Sequence, residues 1–271
     1  MGMKRNKRIG IFDSGFGGLH VTRYITRALP EYEYVYLGDS ARAPYGDRPQ
    51  KMIYAYTKQA VDFLFAKNCG IVIIACNTAS SDALRKIQQE YGAKKKVLGV
   101  LIPAAEEAVK RTKNRRIGVI ATTGTVASKK FVRELEKLDP SIQVFQKACP
   151  LLVPLVEAGE QNSPETDTLL KRYLAPLLRK HIDTLILGCT HYGILERKIR
   201  KAVGPDIAIV SEARVVPKKL KQYLKKHVEI EETLGKRSSA HFYSTDRTDN
   251  FRILGSKFFG RPIRVEKATL Q

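Results

Sequence analysis

The sequence predicts an α/β protein built from two related parallel-sheet halves, and three observations predict it. Short apolar runs alternate with helical stretches along the whole chain. Two of those runs end in a cysteine in matching settings: Ile71-Val72-Ile73-Ile74-Ala75-Cys76-Asn77-Thr78 and Thr184-Leu185-Ile186-Leu187-Gly188-Cys189-Thr190-His191. The run Arg8-Ile9-Gly10-Ile11-Phe12 is also echoed by Arg116-Ile117-Gly118-Val119-Ile120. Short, continuously apolar strands separated by helices argue for parallel sheets covered on both faces.

In chain order, strand-like runs fall near 8–14, 33–38, 71–76, 97–101, 116–121, 142–147, 184–189 and 207–211. Helical patterns lie between most of them, as in Gln50 to Ala66 and Pro164 to Lys180. The boundary between halves is expected near Leu101-Ile102-Pro103. After Ser211-Glu212 the chain is expected to return to the first half, because the remaining αβ segment, Phe242 to Gln271, is too small to stand alone. The expected division is therefore 1–101 plus 212–271 for the first half, and 102–211 for the second. Ligands in open α/β sheets bind beyond the carboxyl ends of strands. Both cysteines and the turn after Phe12 lie at such ends, so the expected site is the cleft between the halves.

Composition narrows the function classes. A chain of 271 residues buries a core without disulfides or metals. Four cysteines, Cys69, Cys76, Cys149 and Cys189, with no CxxC pair, argue against zinc and thioredoxin-like chemistry. The basic N-terminus (Lys4, Arg5, Lys7, Arg8) runs straight into a strand pattern, and no stretch is long enough to span a bilayer. The simplest reading is a cytoplasmic protein with reduced thiols. The net charge of +21 is unusual. Basic residues cluster at Lys94-Lys95-Lys96, Lys110 to Arg116 and Lys218 to Lys226, read as helix ends and connecting loops. Nucleic-acid binding, attraction of small anions, plain solubility and a basic host proteome all fit that charge. No helix-turn-helix, zinc finger or RNP sequence accompanies it.

The residues that can carry chemistry are few. Asp13-Ser14-Gly15-Phe16-Gly17-Gly18 follows the first strand, but His20 stands where GxGxxG needs its third glycine. Two readings stay open: close ligand approach, or a strand–helix turn with Asp13 as its cap. The cysteines are the sharper signal. A thiol becomes a useful base when its pKa falls from about 8.5 toward neutral, and a helix start or a nearby histidine such as His191 promotes that. One cysteine at a strand end is ordinarily a small buried hydrophobe. Two in equivalent settings, each followed by hydrogen-bonding residues, favour function: opposed thiols suit chemistry on both faces of one carbon. Cys69 and Cys149 lack that setting and read as structural. Glu157 is by default a solvated charge at a helix end, and Tyr45-Gly46 a turn.

Six stretches together resemble the glutamate racemase family, of the aspartate/glutamate racemase superfamily: IGIFDSGFGGL (9–19), YLGDSARAPYG (36–46), ACNTAS (75–80), GVIATTGTVAS (118–128), CPLLVPLVEAGE (149–160) and LGCTHY (187–192). They occur in family order over most of the chain. The resemblance implies interconversion of L- and D-glutamate, supplying D-glutamate for peptidoglycan, with no pyridoxal phosphate, metal or nucleotide. It implies that Cys76 and Cys189 are the two catalytic bases, with Asp13 assisting Cys76, and His191 and Glu157 assisting Cys189. Ser14, Tyr45, Gly46, Asn77, Thr78 and Thr190 match substrate-holding positions, as do Asp13 and His191. Thr122 and Thr125 are weaker candidates. It also implies a homodimer without membrane attachment. An aspartate racemase is the alternative enzyme. Contact with nucleic acid or DNA gyrase rests on the basic charge alone. Leu101-Ile102-Pro103-Ala104 departs from the family pattern of an acid before the proline and a glycine after it, which implies a changed hinge or surface contact.

Overall fold

The computed structural model describes residues 6–246 and 249–270; Lys4, Arg5 and Gln271 lie outside the described residues. Ten strands appear in chain order: β1 Arg8–Asp13, β2 Glu33–Gly38, β3 Cys69–Ile74, β4 Lys96–Gly99, β5 Arg116–Ala121, β6 Gln143–Ala148, β7 Thr184–Gly188, β8 Ala208–Ser211, β9 Ser239–Ser244 and β10 Val265–Lys267. They form two sheets, ordered β10-β9-β2-β1-β3-β4 and β6-β5-β7-β8. Every named strand pair is parallel.

The internal echo has a structural meaning. β2-β1-β3-β4 and β6-β5-β7-β8 have the same order, so β1 corresponds to β5 and β3 to β7. β9 and β10 extend only the first sheet, which brings the C-terminal segment back to it. The central strands carry unbroken apolar runs because both their faces are covered. β7 is buried throughout, whereas β6, at a sheet edge, is mostly half-buried.

The strand ends differ from the sequence reading in informative ways. β3 begins at Cys69 and stops at Ile74, so Cys76 lies beyond the ladder and immediately before the helix Asn77–Asp82. β4 ends at Gly99 because Leu101 already starts the helix Leu101–Arg111. Ile102 is 45% exposed in the first turn of that helix, at the surface. The basic run Lys218 to Lys226 falls at a helix end, as expected, and reaches further back along the helix than its last turn. It lies within the helix Glu212–Lys226, where Val216, Leu220 and Leu224 are buried and Lys218, Lys221, Lys225 and Lys226 are exposed. Apolar residues at a spacing of four make one face of a helix, and the lysines fill the other. No described helix is long and apolar enough to cross a membrane.

Candidate active site

Residues just beyond the carboxyl ends of β1, β3, β5 and β7 meet at one cavity: Ser14, Cys76, Thr122 and Cys189 all line it. The duplicated strand order thus brings the two thiols to a common space, as the matching sequence settings predict. Cys76 is 6% exposed and Cys189 7%. The cavity is small, about 30 Å³.

Burial dominates the electrostatics. The Cys76 thiol is pushed up to about 12, first by burial and then by the neighbouring Asp13 carboxyl, with Ser14 opposing. Cys189 is pushed well above the ordinary thiol range by burial, with Cys76, Asp13 and Glu212 adding to the effect. This corrects the expectation of lowered thiol pKa values. In so closed a site, removing water disfavours the thiolate more than a helix start or a histidine favours it. Cys69 and Cys149, which do not line the cavity, are also pushed up to about 12 by burial.

The thiols have different neighbours. Ser14 Oγ lies 3.4 Å from Cys76 Sγ. His191 Nδ1 lies 3.8 Å from Cys189 Sγ, and His191 Nε2 lies 3.0 Å from Glu157 Oε1. Asp13 is fully buried behind the cavity wall. It accepts from the Gly15 N–H at 3.1 Å and from Thr190 Oγ1 at 3.3 Å. Burial pushes the Asp13 carboxyl up, and nearby His191 opposes that. Asp13 therefore touches the residue after Cys189 while acting on Cys76 through space. The following helix begins after Phe16, which offers no side-chain cap, and the backbone N–H of Gly18 in its first turn turns to the Asp13 carboxyl, as the capping alternative expects.

The glycines of the first turn serve close approach, not backbone conformation. Neither Gly17 nor Gly18 is among the positive-φ residues. A Cβ on Gly17 would stand 2.5 Å from both Thr190 Oγ1 and His191 Nδ1, and one on Gly18 would stand 2.4 Å from Asp13 Cβ. The helix Gly17–Ala28 can thus press directly on the side chains it supports.

Several hydrogen bonds close the cleft. Thr78 Oγ1 lies 3.0 Å from Thr122 Oγ1 and 3.3 Å from Thr125 Oγ1. The Gly124 N–H donates to the Gly46 carbonyl at 2.8 Å. Asn77 Nδ2 donates to Glu212 Oε2 at 2.8 Å. Tyr45, Gly46, Asn77, Thr78, Thr190 and His191 all line the cavity, and so does Glu157. Thr125, like Asp13, stands behind the wall. Tyr45 commits its hydroxyl to the Asp39 carboxylate, which leaves its ring and backbone to face the cavity. Sequence reasoning missed Glu212, whose signal was its place directly after a strand end, and Val153, which gives the cavity an apolar side. Among the described residues no group of three or more His, Cys, Asp or Glu could hold a metal ion. A larger cavity of about 980 Å³ lies among Tyr24, Arg111, Arg197 and Gln222, and neither cysteine lines it.

A family model described as Asp/Glu/Hydantoin racemase matches residues 9–216. The chain belongs to this racemase family. Among its relatives, a protein named glutamate racemase from Streptococcus sanguinis strain SK36 is 40% identical over 266 residues, covering 98% of this chain and 99% of the relative. The solved structure of glutamate racemase isoform RacE1 from Bacillus anthracis superposes with a TM-score of 0.91 at 34% identity, over 98% of each chain. That of glutamate racemase from Francisella tularensis, in complex with D-glutamate, superposes with a TM-score of 0.89 at 31% identity, again over 98% of each chain. The two parallel-sheet α/β halves are therefore those of this racemase family.

Proposed function

We propose that this protein interconverts L- and D-glutamate by a two-base mechanism in which Cys76 and Cys189 act on opposite faces of the α-carbon. The observation that carries the proposal is that the two thiols, at corresponding strand ends of two like-ordered sheets, line one cavity. The names of the full-length relatives and the D-glutamate complex of the Francisella tularensis protein support glutamate as the substrate.

In the proposed reaction one cysteine, as thiolate, takes the α-proton. The C–H electron pair passes into the substrate's carboxylate-stabilised carbanion. The other cysteine, as thiol, gives its proton to the opposite face. The first cysteine ends protonated and the second ends as thiolate, which is the form that starts the reverse reaction. General acid–base groups work best with pKa values near the operating pH. Burial holds both thiols above that range, and the substrate's ammonium group supplies the positive charge that favours a thiolate. Ser14, Asn77, Thr78, Thr122 and Thr190 offer polar groups fixed in advance for a carbanion shielded from water. In the same proposal Asp13 assists Cys76, while His191, held by Glu157, assists Cys189. Gly46 and Tyr45 shape the wall, and Thr125 braces Thr78.

The further parts of the proposal rest on the family. They are the division into 1–101 plus 212–271 and 102–211, action as a homodimer in the cytoplasm, and supply of D-glutamate to peptidoglycan. The decisive experiment is proton NMR of the protein with L-glutamate in D₂O, without added cofactor. Loss of the α-proton signal together with falling optical rotation is the expected result. A folded, reduced sample that leaves glutamate unchanged but exchanges L-aspartate would overturn the substrate assignment. One that exchanges neither would overturn the activity.

A further inference from the structure

Three buried polar atoms near the seam between the sheets have no hydrogen-bond partner: Asn77 Oδ1, Ser211 Oγ and Glu212 Oε1. They belong to two stretches of chain far apart in sequence, joined where Asn77 Nδ2 donates to Glu212 Oε2 at 2.8 Å. Asn77 is 2% exposed and Glu212 3%. Asn77 follows Cys76 and lines the cavity that holds both thiols. Glu212 follows β8 and shares a small internal space with Cys189, Thr190 and His20.

This arrangement fixes the Asn77 amide. Its nitrogen is committed to Glu212, so its oxygen is left as a buried acceptor without a protein partner, on a residue that lines the cavity. An acceptor oxygen suits a cationic donor, and the α-ammonium group of an amino acid is such a donor. We propose that Glu212 is a positioning residue for the racemisation proposed above: as an uncharged acid it turns Asn77 Oδ1 toward the substrate's ammonium group and keeps a further negative charge away from Cys189. The inference rests on the glutamate racemase reading.

The surroundings support the uncharged form. A buried carboxylate with no cation is costly. Burial pushes Glu212 well above the ordinary carboxylate range and the Asp13 carboxyl adds to this, while Asn77 alone opposes it. The other titratable groups at this space are Cys189 and His20. His20 supplies no compensating charge, because burial, with Arg23 and Arg214 nearby, pushes it down to about 4. A charge on Glu212 would instead act on Cys189, making its thiolate harder to form.

Glu212→Gln keeps an oxygen to accept from Asn77 and carries no charge at any pH. It is expected to hold kcat within about threefold of the unmodified protein and to extend the alkaline limb of the kcat profile to higher pH. Glu212→Ala is expected to raise KM for glutamate about tenfold, the scale of one lost hydrogen bond to a charged group, with a smaller change in kcat. In an Asn77→Ala background the same substitution should add nothing, because Glu212 acts through Asn77. A hundredfold loss of kcat in Glu212→Gln, an alkaline limb that does not move, or additive effects in the double variant would each overturn the proposal. If Glu212→Ala does not fold, the two readouts of the Gln variant decide. Exchange of the α-proton by the unmodified protein is measured in the same buffers. Its absence removes the racemase reading and this inference with it. Its presence, with Glu212 variants indistinguishable from the unmodified protein, removes only the role of Glu212.

Discussion

After β3 the thiol of Cys76 has a serine hydroxyl 3.4 Å away; after β7 the thiol of Cys189 has an imidazole 3.8 Å away, itself held by a carboxylate at 3.0 Å. The scaffolds around them correspond strand for strand, yet the helpers do not. The duplicated fold thus supplies two thiols at one cavity and nothing more. Each side acquired its own polar neighbours. Asymmetry of that kind suits a substrate whose α-carbon carries three different groups, since a two-fold symmetric wall could not tell its carboxylate from its ammonium.

The largest effects should come from removing either thiol. Cys76→Ser and Cys189→Ser are each expected to lower racemisation by at least roughly 10³-fold, because residues that act as a unit fail together. Polarimetry with L- and D-glutamate, beside circular dichroism as a check on the fold, measures this. A single variant that retains full turnover would break the equivalence of the two sides. Gly17→Ala comes next and strikes the Cys189 side first. Its Cβ would overlap Thr190 Oγ1 and His191 Nδ1, at 2.5 Å each. A fall in kcat of about 10²-fold is expected from such a misplacement, reaching the Cys76 side only through the Thr190 hydrogen bond to Asp13. Unchanged kcat would show that the helix Gly17–Ala28 can draw back without consequence.

Glu157→Gln sharpens the comparison further, with about a tenfold effect, the lower end for a group supporting an acid–base step. L- and D-glutamate are equally stable, so kcat/KM must fall by the same factor in both directions. The individual kcat values are free to differ. A role confined to the Cys189 side predicts unequal losses of kcat for L-to-D and D-to-L turnover. Equal losses would assign Glu157 to binding that both directions share.

The sequence displays the parts of this site that are local and hides those that are not. The runs ending at Cys76 and Cys189 are legible because a strand buried on both faces is continuously apolar, and because a repeated pattern survives in one dimension. His191 is legible because it lies two residues from its thiol. Glu212 is not, since its partner Asn77 lies 135 positions away and a glutamate at the start of a helix looks like any helix-start charge. Direction of the thiol shifts was equally hidden. The sequence shows the groups that lower a thiol pKa, but burial, which overrides them here, is a property of the closed cavity. The basic run at the end of Glu212–Lys226 is legible as a helix end, and the apolar spacing of Val216, Leu220 and Leu224 shows which face its lysines leave to the core.

The smallest effect contrasts the thiols inside the cavity with those outside it. Cys69 is pushed from an ordinary 9.0 up to about 12 by burial, and it lines no part of the site. In the unfolded chain its proton is lost near pH 9, whereas the folded protein keeps it to about 12. The unfolded state therefore binds fewer protons in that window, and stability is retained below pH 9 and declines as the pH rises from 9 toward 12. Cys69→Ala removes this contribution. Urea midpoints at pH 7, 9 and 10 should show the variant somewhat weaker at pH 7, because a buried sulfur is lost, and losing less than the unmodified protein between pH 9 and 10. Parallel pH curves would mean that the Cys69 thiol does not resist ionisation in the folded state. Racemisation should persist in Cys69→Ala, because of the four thiols only Cys76 and Cys189 line the cavity; a Cys69→Ala protein that folds but fails to racemise would extend the catalytic machinery beyond the two strand ends.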